Sequence, residues 1–92
     1  MSNADAPLCP PPDPNPRAPN FAVPAGATDC HAHVFGPASR YPYQANRSYT
    51  PPDAPIGALR VMHKTLGIER LVVMAASVHG TNNDPVLDSI AT

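Results

Sequence analysis

The chain has 92 residues, 14 of them proline, and sets six Lys or Arg against seven Asp or Glu for a formal charge of −1. Without a run of basic residues it lacks the electrostatic footprint that nucleic acid or an anionic membrane surface requires, and no apolar run approaches the roughly 18 residues of a membrane-spanning helix. Cys9 and Cys30 form neither a C-x-x-C pair nor a disulfide framework, so a reduced, cytoplasmic setting without a secretory leader is expected.

Eight of the prolines precede Ala25. Residues 1–25 therefore read as a proline-rich, extended or disordered arm, a composition that favours polyproline II and buries no core. Pro16-Arg17-Ala18-Pro19 has the PxxP spacing of ligands for aromatic-lined grooves, a match that any proline-rich run produces readily. Residues 26–92 are the part able to fold, and they offer only a small core.

Ala27 to Phe35 is short and apolar apart from its histidines, and Gly36-Pro37 ends it as a buried strand would end. Alternation along such a strand puts His31, His33 and Phe35 on one face with Asp29, and Cys30, Ala32 and Val34 on the other, against helices. Two imidazoles one residue apart can act together on one metal ion or one substrate; the plainer alternative is a pair satisfied by backbone carbonyls. Residues 36–52 have no periodicity and form a long loop, and long loops inside compact domains are usually functional.

Thr50 or Asp53 can cap a helix running to about Leu66, in which Ile56, Leu59, Met62 and Leu66 recur at three- and four-residue steps and Gly67 supplies the stop. Leu71 to Ala76 is continuously apolar, the pattern of a strand covered on both faces in a parallel sheet. Residues 77–83 are a polar loop, and Asp84-Pro85 opens a second helix with proline in its first turn.

This order is a βαβα unit with a right-handed crossover. Parallel strands end on one side, so Ser77 and His79 come beside His33 and the Gly36 loop, at the edge where α/β folds bind ligands. Two parallel strands leave edges and faces uncovered, so the chain reads as the opening quarter of a larger fold.

Asp29-Cys30-His31-Ala32-His33-Val34-Phe35-Gly36-Pro37 resembles the opening of the amidohydrolase superfamily, whose (β/α)₈ TIM barrels carry His-x-His on the first strand. Joined in order with Arg47-Ser48-Tyr49, Leu66-Gly67-Ile68 and Ala76-Ser77-Val78-His79-Gly80-Thr81-Asn82-Asn83, it is similar to the branch of 2-pyrone-4,6-dicarboxylate lactonases and sugar-lactone hydrolases, over residues 26–92. The resemblance implies the first βαβα unit of a TIM barrel in a hydrolase that opens a lactone. It implies catalytic roles for His31 and His33, substrate-binding roles for Tyr49 and Ser77, and a further binding role for His79 in the same loop. The lactonase branch is taken to work without a metal, its histidines polarising the lactone carbonyl, whereas other branches use zinc or manganese. Metal-free action is therefore favoured, with one divalent ion at His31 and His33 as the alternative. The later histidine, the water-activating aspartate and the carboxylate-binding arginines that the resemblance calls for fall outside these 92 residues, which alone are expected to be inactive.

Ser77 stands in no G-x-S-x-G elbow, so it reads as a hydrogen-bond donor to substrate or as a plain strand end. Tyr49, with Tyr41 and Tyr43 nearby, is a binder or a loop anchor. His63 reads as a solvent-side or satisfied packing residue, and Asp29 as a residue that orients the strand or a histidine. Arg40 and Arg47 read as solvated loop charges or as attractors of an anionic substrate. The alternative from another class is a non-enzymatic chain that binds a partner through its proline-rich tail and open sheet edges.

Overall fold

The computed structural model describes residues 6–92. Its elements run β1 (Thr28–Ala32), α1 (Ile56–Leu66), β2 (Arg70–Val73), a 3₁₀ turn (Ser77–His79) and α2 (Asp84–Ile90), the βαβα order expected of this stretch. β1 and β2 pair in parallel as a two-stranded sheet. Among the described residues no helix is long and apolar enough to cross a membrane.

The register of that sheet departs from simple alternation. Asp29 lies opposite Leu71 and Ala32 opposite Val73, so three residues of β1 are matched by two of β2 and a bulge sits between Asp29 and Ala32. Leu71 and Val73 share the face toward the helices, lining one cleft with Ile56 and His63 of α1 and Ile90 of α2. Their partners Asp29 and Ala32 share that face with them. Asp29 is thus on the side opposite His31 and His33, not beside them as alternation predicts, because one extra residue in the bulge reverses the parity of everything after it.

Both strands are shorter than their apolar runs. β1 stops before Phe35 because Phe35 leaves β2 and exchanges two backbone bonds with Ala54, at 2.9 and 2.8 Å. β2 stops at Val73 in place of Ala76; the Met74 N–H still donates to Ala32 at 2.8 Å, and the chain then turns into the 3₁₀ turn within what reads as a polar loop. Cys30, expected against the helices, is exposed, whereas Val34 of the same expected face is buried.

α1 begins at Ile56, after Pro55 in an extended conformation, and no side chain caps it. The two expected caps are engaged elsewhere. The Thr50 hydroxyl donates to the Ala6 carbonyl at 2.8 Å and accepts from Arg47 at 3.0 Å, while the Asp53 carboxylate fills the space beside Gly36. Gly67 does end the helix. At φ 83° it takes the left-handed turn that brings its own N–H and that of Ile68 back to the carbonyls of Lys64 and His63. For α2 the first free N–H, that of Asp84, is taken by the Asn82 side chain at 3.0 Å, and Pro85 occupies the first turn, where no donor is needed.

Among the described residues the arm forms no helix and is hydrogen-bonded to the long loop near Thr50. Leu8 pairs in parallel with Thr50, with Cys9 N–H on the Thr50 carbonyl at 2.9 Å and Thr50 N–H on the Pro7 carbonyl at 2.7 Å. Residues 1–5 of the expected arm lie outside the described residues. The buried apolar residues are Val34, Ala76 and Val78, a core that sits where the end of β1 meets the 3₁₀ turn. That turn is the platform for the site.

Candidate active site

The bulge puts the rings of His31 and His33 on the sheet face away from the helices, edge to face, with centroids 5.1 Å apart. A row of rings continues from them. Phe35 stands 6.0 Å from His33 and 6.0 Å from His79, and Tyr49 meets Phe35 edge-on at 6.5 Å. Of the residues expected at the site, His31, His33, Tyr49 and His79 are therefore gathered around Phe35. Ser77 opens the 3₁₀ turn with its side chain exposed and bonded to none of them.

His33 is fixed by a bond that also sets its chemistry. Its Nδ1 lies 2.9 Å from the Met74 carbonyl oxygen, which can only accept, so Nδ1 carries the proton. In the neutral ring Nε2 is then left with its lone pair. It can hold a metal ion or take a proton as it stands, and it can donate to a carbonyl oxygen only as imidazolium.

His79 is 5% exposed, and its Nε2 and the Tyr43 hydroxyl are both buried without a partner among the described residues. The two rings pack at 5.5 Å. Burial, with a smaller contribution from the charge of His33, holds the His79 imidazole below its ordinary pKa and keeps it neutral. Burial, assisted by Asp53, likewise pushes the Tyr43 hydroxyl up. His79 thus stands behind Phe35 as a shielded neutral ring.

On the other face, His63 of α1 is 6% exposed and donates from Nε2 to Asp29 Oδ2 at 2.8 Å. Asp29 Oδ1 accepts the backbone N–H of His31 at 3.1 Å. These two bonds, that from His63 foremost, hold the Asp29 carboxyl below its ordinary pKa. Of the two readings left open for His63, the structure selects the satisfied packing residue, and it gives Asp29 the orienting role.

Both loop arginines are engaged. Arg47 donates to Thr50 and to the Gln44 carbonyl, at 3.0 and 2.9 Å, and its guanidinium lies over the Tyr43 ring. Arg40 donates to Tyr41 and Asp88, tying the loop to α2. Neither points a free cation at the histidines. His33 also borders a largely apolar cleft of about 690 Å³ between α1 and the arm, lined by Pro11, Pro14, Leu59 and Met62 among others.

The sequence model of a family described as amidohydrolase matches residues 28–92, from the first residue of β1 onward. The chain belongs to the amidohydrolase family. A 4-sulfomuconolactone hydrolase of Rhizobium radiobacter is 44% identical over 84 residues, 87% of this chain and 28% of that protein. A 2-pyrone-4,6-dicarboxylate hydrolase of Comamonas testosteroni is 44% identical over 75 residues, 82% of this chain and 25% of its own. A second 4-sulfomuconolactone hydrolase, of Hydrogenophaga intermedia, is 44% identical over 70 residues, 76% of this chain and 23% of its own. The chain spans about a quarter of the length of these relatives.

Amidohydrolases commonly use a divalent metal. Among the described residues no group of three or more His, Cys, Asp or Glu is placed to hold one. The donor chemistry of His33 does suit a metal: a ligating histidine usually gives its other N–H to a carbonyl or carboxylate, as His33 gives Nδ1–H to Met74. His31 and His33 thus fit as two donors of a set that needs about three protein ligands.

Sequence reasoning missed the roles of Phe35 and Tyr43 and the Asp29–His63 bond. The signal for the last was present. His63 lies four residues after Leu59 and three before Leu66, on the apolar stripe of α1, so it had to face the sheet. Nothing local announced the bulge that turns Asp29 toward it.

Proposed function

We propose that this chain supplies the first βαβα unit of a (β/α)₈ barrel hydrolase that opens a lactone by attack of water on its carbonyl carbon. The observation that supports the reading best is the His31–His33 pair, seated at the C-terminal end of β1 on the face the helices leave open, with the Met74 carbonyl fixing one ring. Developing negative charge on the lactone oxygen is met by imidazole N–H groups in a fixed geometry, which costs little reorganisation at the moment of reaction. His33 can supply such a donor only in its protonated form, whereas His31, exposed beside it, can do so from either ring nitrogen.

Tyr49 and Ser77 bind the oxygens of the substrate. His79 joins them only once its buried ring is uncovered. Both sets of relatives are named for lactones that bear acidic groups, and the substrate proposed here is of that class. Because Arg40 and Arg47 are engaged, the cations for those groups come from outside these residues, as does the base that takes the proton of water. In the favoured form no metal takes part. In the alternative, His31 and His33 would hold one zinc or manganese ion, which would supply Lewis acidity. The free thiols of Cys9 and Cys30 suit a cytoplasmic setting.

A chimera tests the proposal. Residues 28–92 replace the matching segment of the Comamonas testosteroni hydrolase, and hydrolysis of 2-pyrone-4,6-dicarboxylate is followed by loss of the pyrone absorbance. The chimera should be active and should lose activity on His31→Ala or His33→Ala. A folded chimera that is inactive, or active without either histidine, overturns the reading. Activity that disappears with a chelator and returns with zinc or manganese selects the metal-bound form.

A further inference from the structure

We infer that His63 is a positioning residue for the His31–His33 pair, acting through Asp29 to hold the β1 bulge that turns both imidazoles onto the open face. The inference deepens the lactonase reading and rests on it for the purpose of the pair, though not for the geometry. A β-bulge leaves an extra residue unpaired by the ladder, so it persists where side chains satisfy its backbone. Here one carboxylate does this from within. Asp29 Oδ1 accepts the His31 N–H inside the bulge at 3.1 Å, and Oδ2 accepts His63 Nε2–H from α1 at 2.8 Å.

His63 is itself enclosed and bonded on both sides. It is 6% exposed, and its carbonyl receives the Ile68 N–H that closes the end of α1, at 2.8 Å. The helix end, the carboxylate and the bulge amide are therefore one connected unit.

The consequence follows from strand parity. With the bulge, Asp29 and Ala32 both face the helices and His31 and His33 both face away. Without it, β1 alternates strictly: either Asp29 moves to the open face and loses His63, or both histidines swing in against α1 and α2. A slip of one residue moves every later side chain to the other face. Asp29 has a reason to stay on the helix face only while His63 is there to donate to it. His63, 30 residues beyond His33 in sequence, thus chooses which way the pair points.

The test uses the full chain with ¹⁵N-labelled imidazoles and reads ring tautomers and amide exchange by NMR, independently of any hydrolysis. In the wild type, His33 should show one tautomer with the proton on Nδ1, His63 one with the proton on Nε2, and the His31 amide should be protected from exchange. His63→Ala should lose both the single-tautomer signature of His33 and the protection of His31. His63→Gln, whose amide N–H replaces Nε2–H toward Asp29, should keep both. Leu71→Ala removes apolar packing from the same face and should lower the melting temperature while leaving both readouts unchanged.

A His63→Ala chain that merely melts earlier, with His33 and His31 unaltered, overturns the inference. So does a Leu71→Ala chain that loses both signatures. If His63→Ala does not fold, a folded His63→Gln chain decides by keeping or losing the His33 signature, and a wild type in which His63 carries its proton on Nδ1 refutes the inference outright. Failure of the lactonase reading would leave every one of these outcomes in place.

Discussion

Replacing His33 by asparagine separates the two functions of its ring. The Asn side-chain N–H falls near the place of Nδ1–H, so the bond to the Met74 carbonyl, 2.9 Å in the native chain, is retained while Nε2 is removed. The ring contacts to His31 at 5.1 Å and Phe35 at 6.0 Å disappear. A neutral hydrogen bond contributes about 1 kcal/mol and each ring contact about 0.5 kcal/mol or more. His33→Asn should therefore cost about 1 kcal/mol of stability and His33→Ala about 2 kcal/mol, measured by urea unfolding of the chain. Activity should not follow that order. A group that moves or donates a proton at the reacting atom contributes roughly 100- to 10,000-fold, about 3–5 kcal/mol of barrier. In the chimera both variants should lose at least about 100-fold in kcat. An Asn variant within tenfold of the parent shows that Nε2 has no part in the chemistry. An Asn variant no more stable than the Ala variant shows that the Met74 bond is not what holds the ring.

Val78 is fully buried, whereas Val72 is 46% exposed on the open face of β2. Val78→Ala should cost roughly 1.5–3 kcal/mol, which in a domain of this size lowers the melting temperature by roughly 6–24 °C, while Val72→Ala stays within about 0.5 kcal/mol. Similar costs at the two sites would show that the turn is not the core. Acid should weaken the fold in two steps, read as the urea midpoint against pH. His79 is held below 6.5 by burial and by His33, so the unfolded chain takes up that proton first and stability falls as pH drops from 6.5 toward the lower folded value. Asp29 is held below 3.8 by His63 and the His31 N–H, so its contribution is complete above 3.8 and is lost as pH falls through its lower folded value. His79→Phe should remove the upper step and Asp29→Asn should shrink the lower one. An upper step that survives His79→Phe refutes the assignment.

The order of elements was legible because their signals are local. The 3.6-residue spacing from Ile56 to Leu66, Gly67 as its stop and the apolar run after Arg70 each need only their neighbours. So was the pairing of His31 with His33. What failed to show depends on partners far along the chain. Thr50 does not cap α1 because Ala6 and Arg47 take its hydroxyl, and Phe35 leaves the sheet because Ala54 offers a backbone partner. The bulge is of the same kind, since Asp29 at its start is bonded to a helix residue 34 positions away.

His31 lies exposed and His33 half-buried beside the cleft between α1 and the arm, on a sheet face that no further strand covers among the described residues, and this ties the site to the rest of the proposed barrel. Leu71 and Val73 meet α1 and α2, while Val72 and Met74, on the alternate face with His33, stand 46% and 39% exposed. A hydrolase of the kind proposed excludes bulk water from that face and therefore needs further strands to close around it. Closure must then shield Met74 as it completes the site. In the 92-residue chain Met74 should be oxidised by dilute peroxide at a rate near that of an exposed methionine, and in the active chimera it should be protected, with peptide-resolved mass spectrometry giving both rates. Equal rates in an active chimera would mean that the face carrying Met74 stays open during catalysis, and that the lactone is bound elsewhere than over His31 and His33.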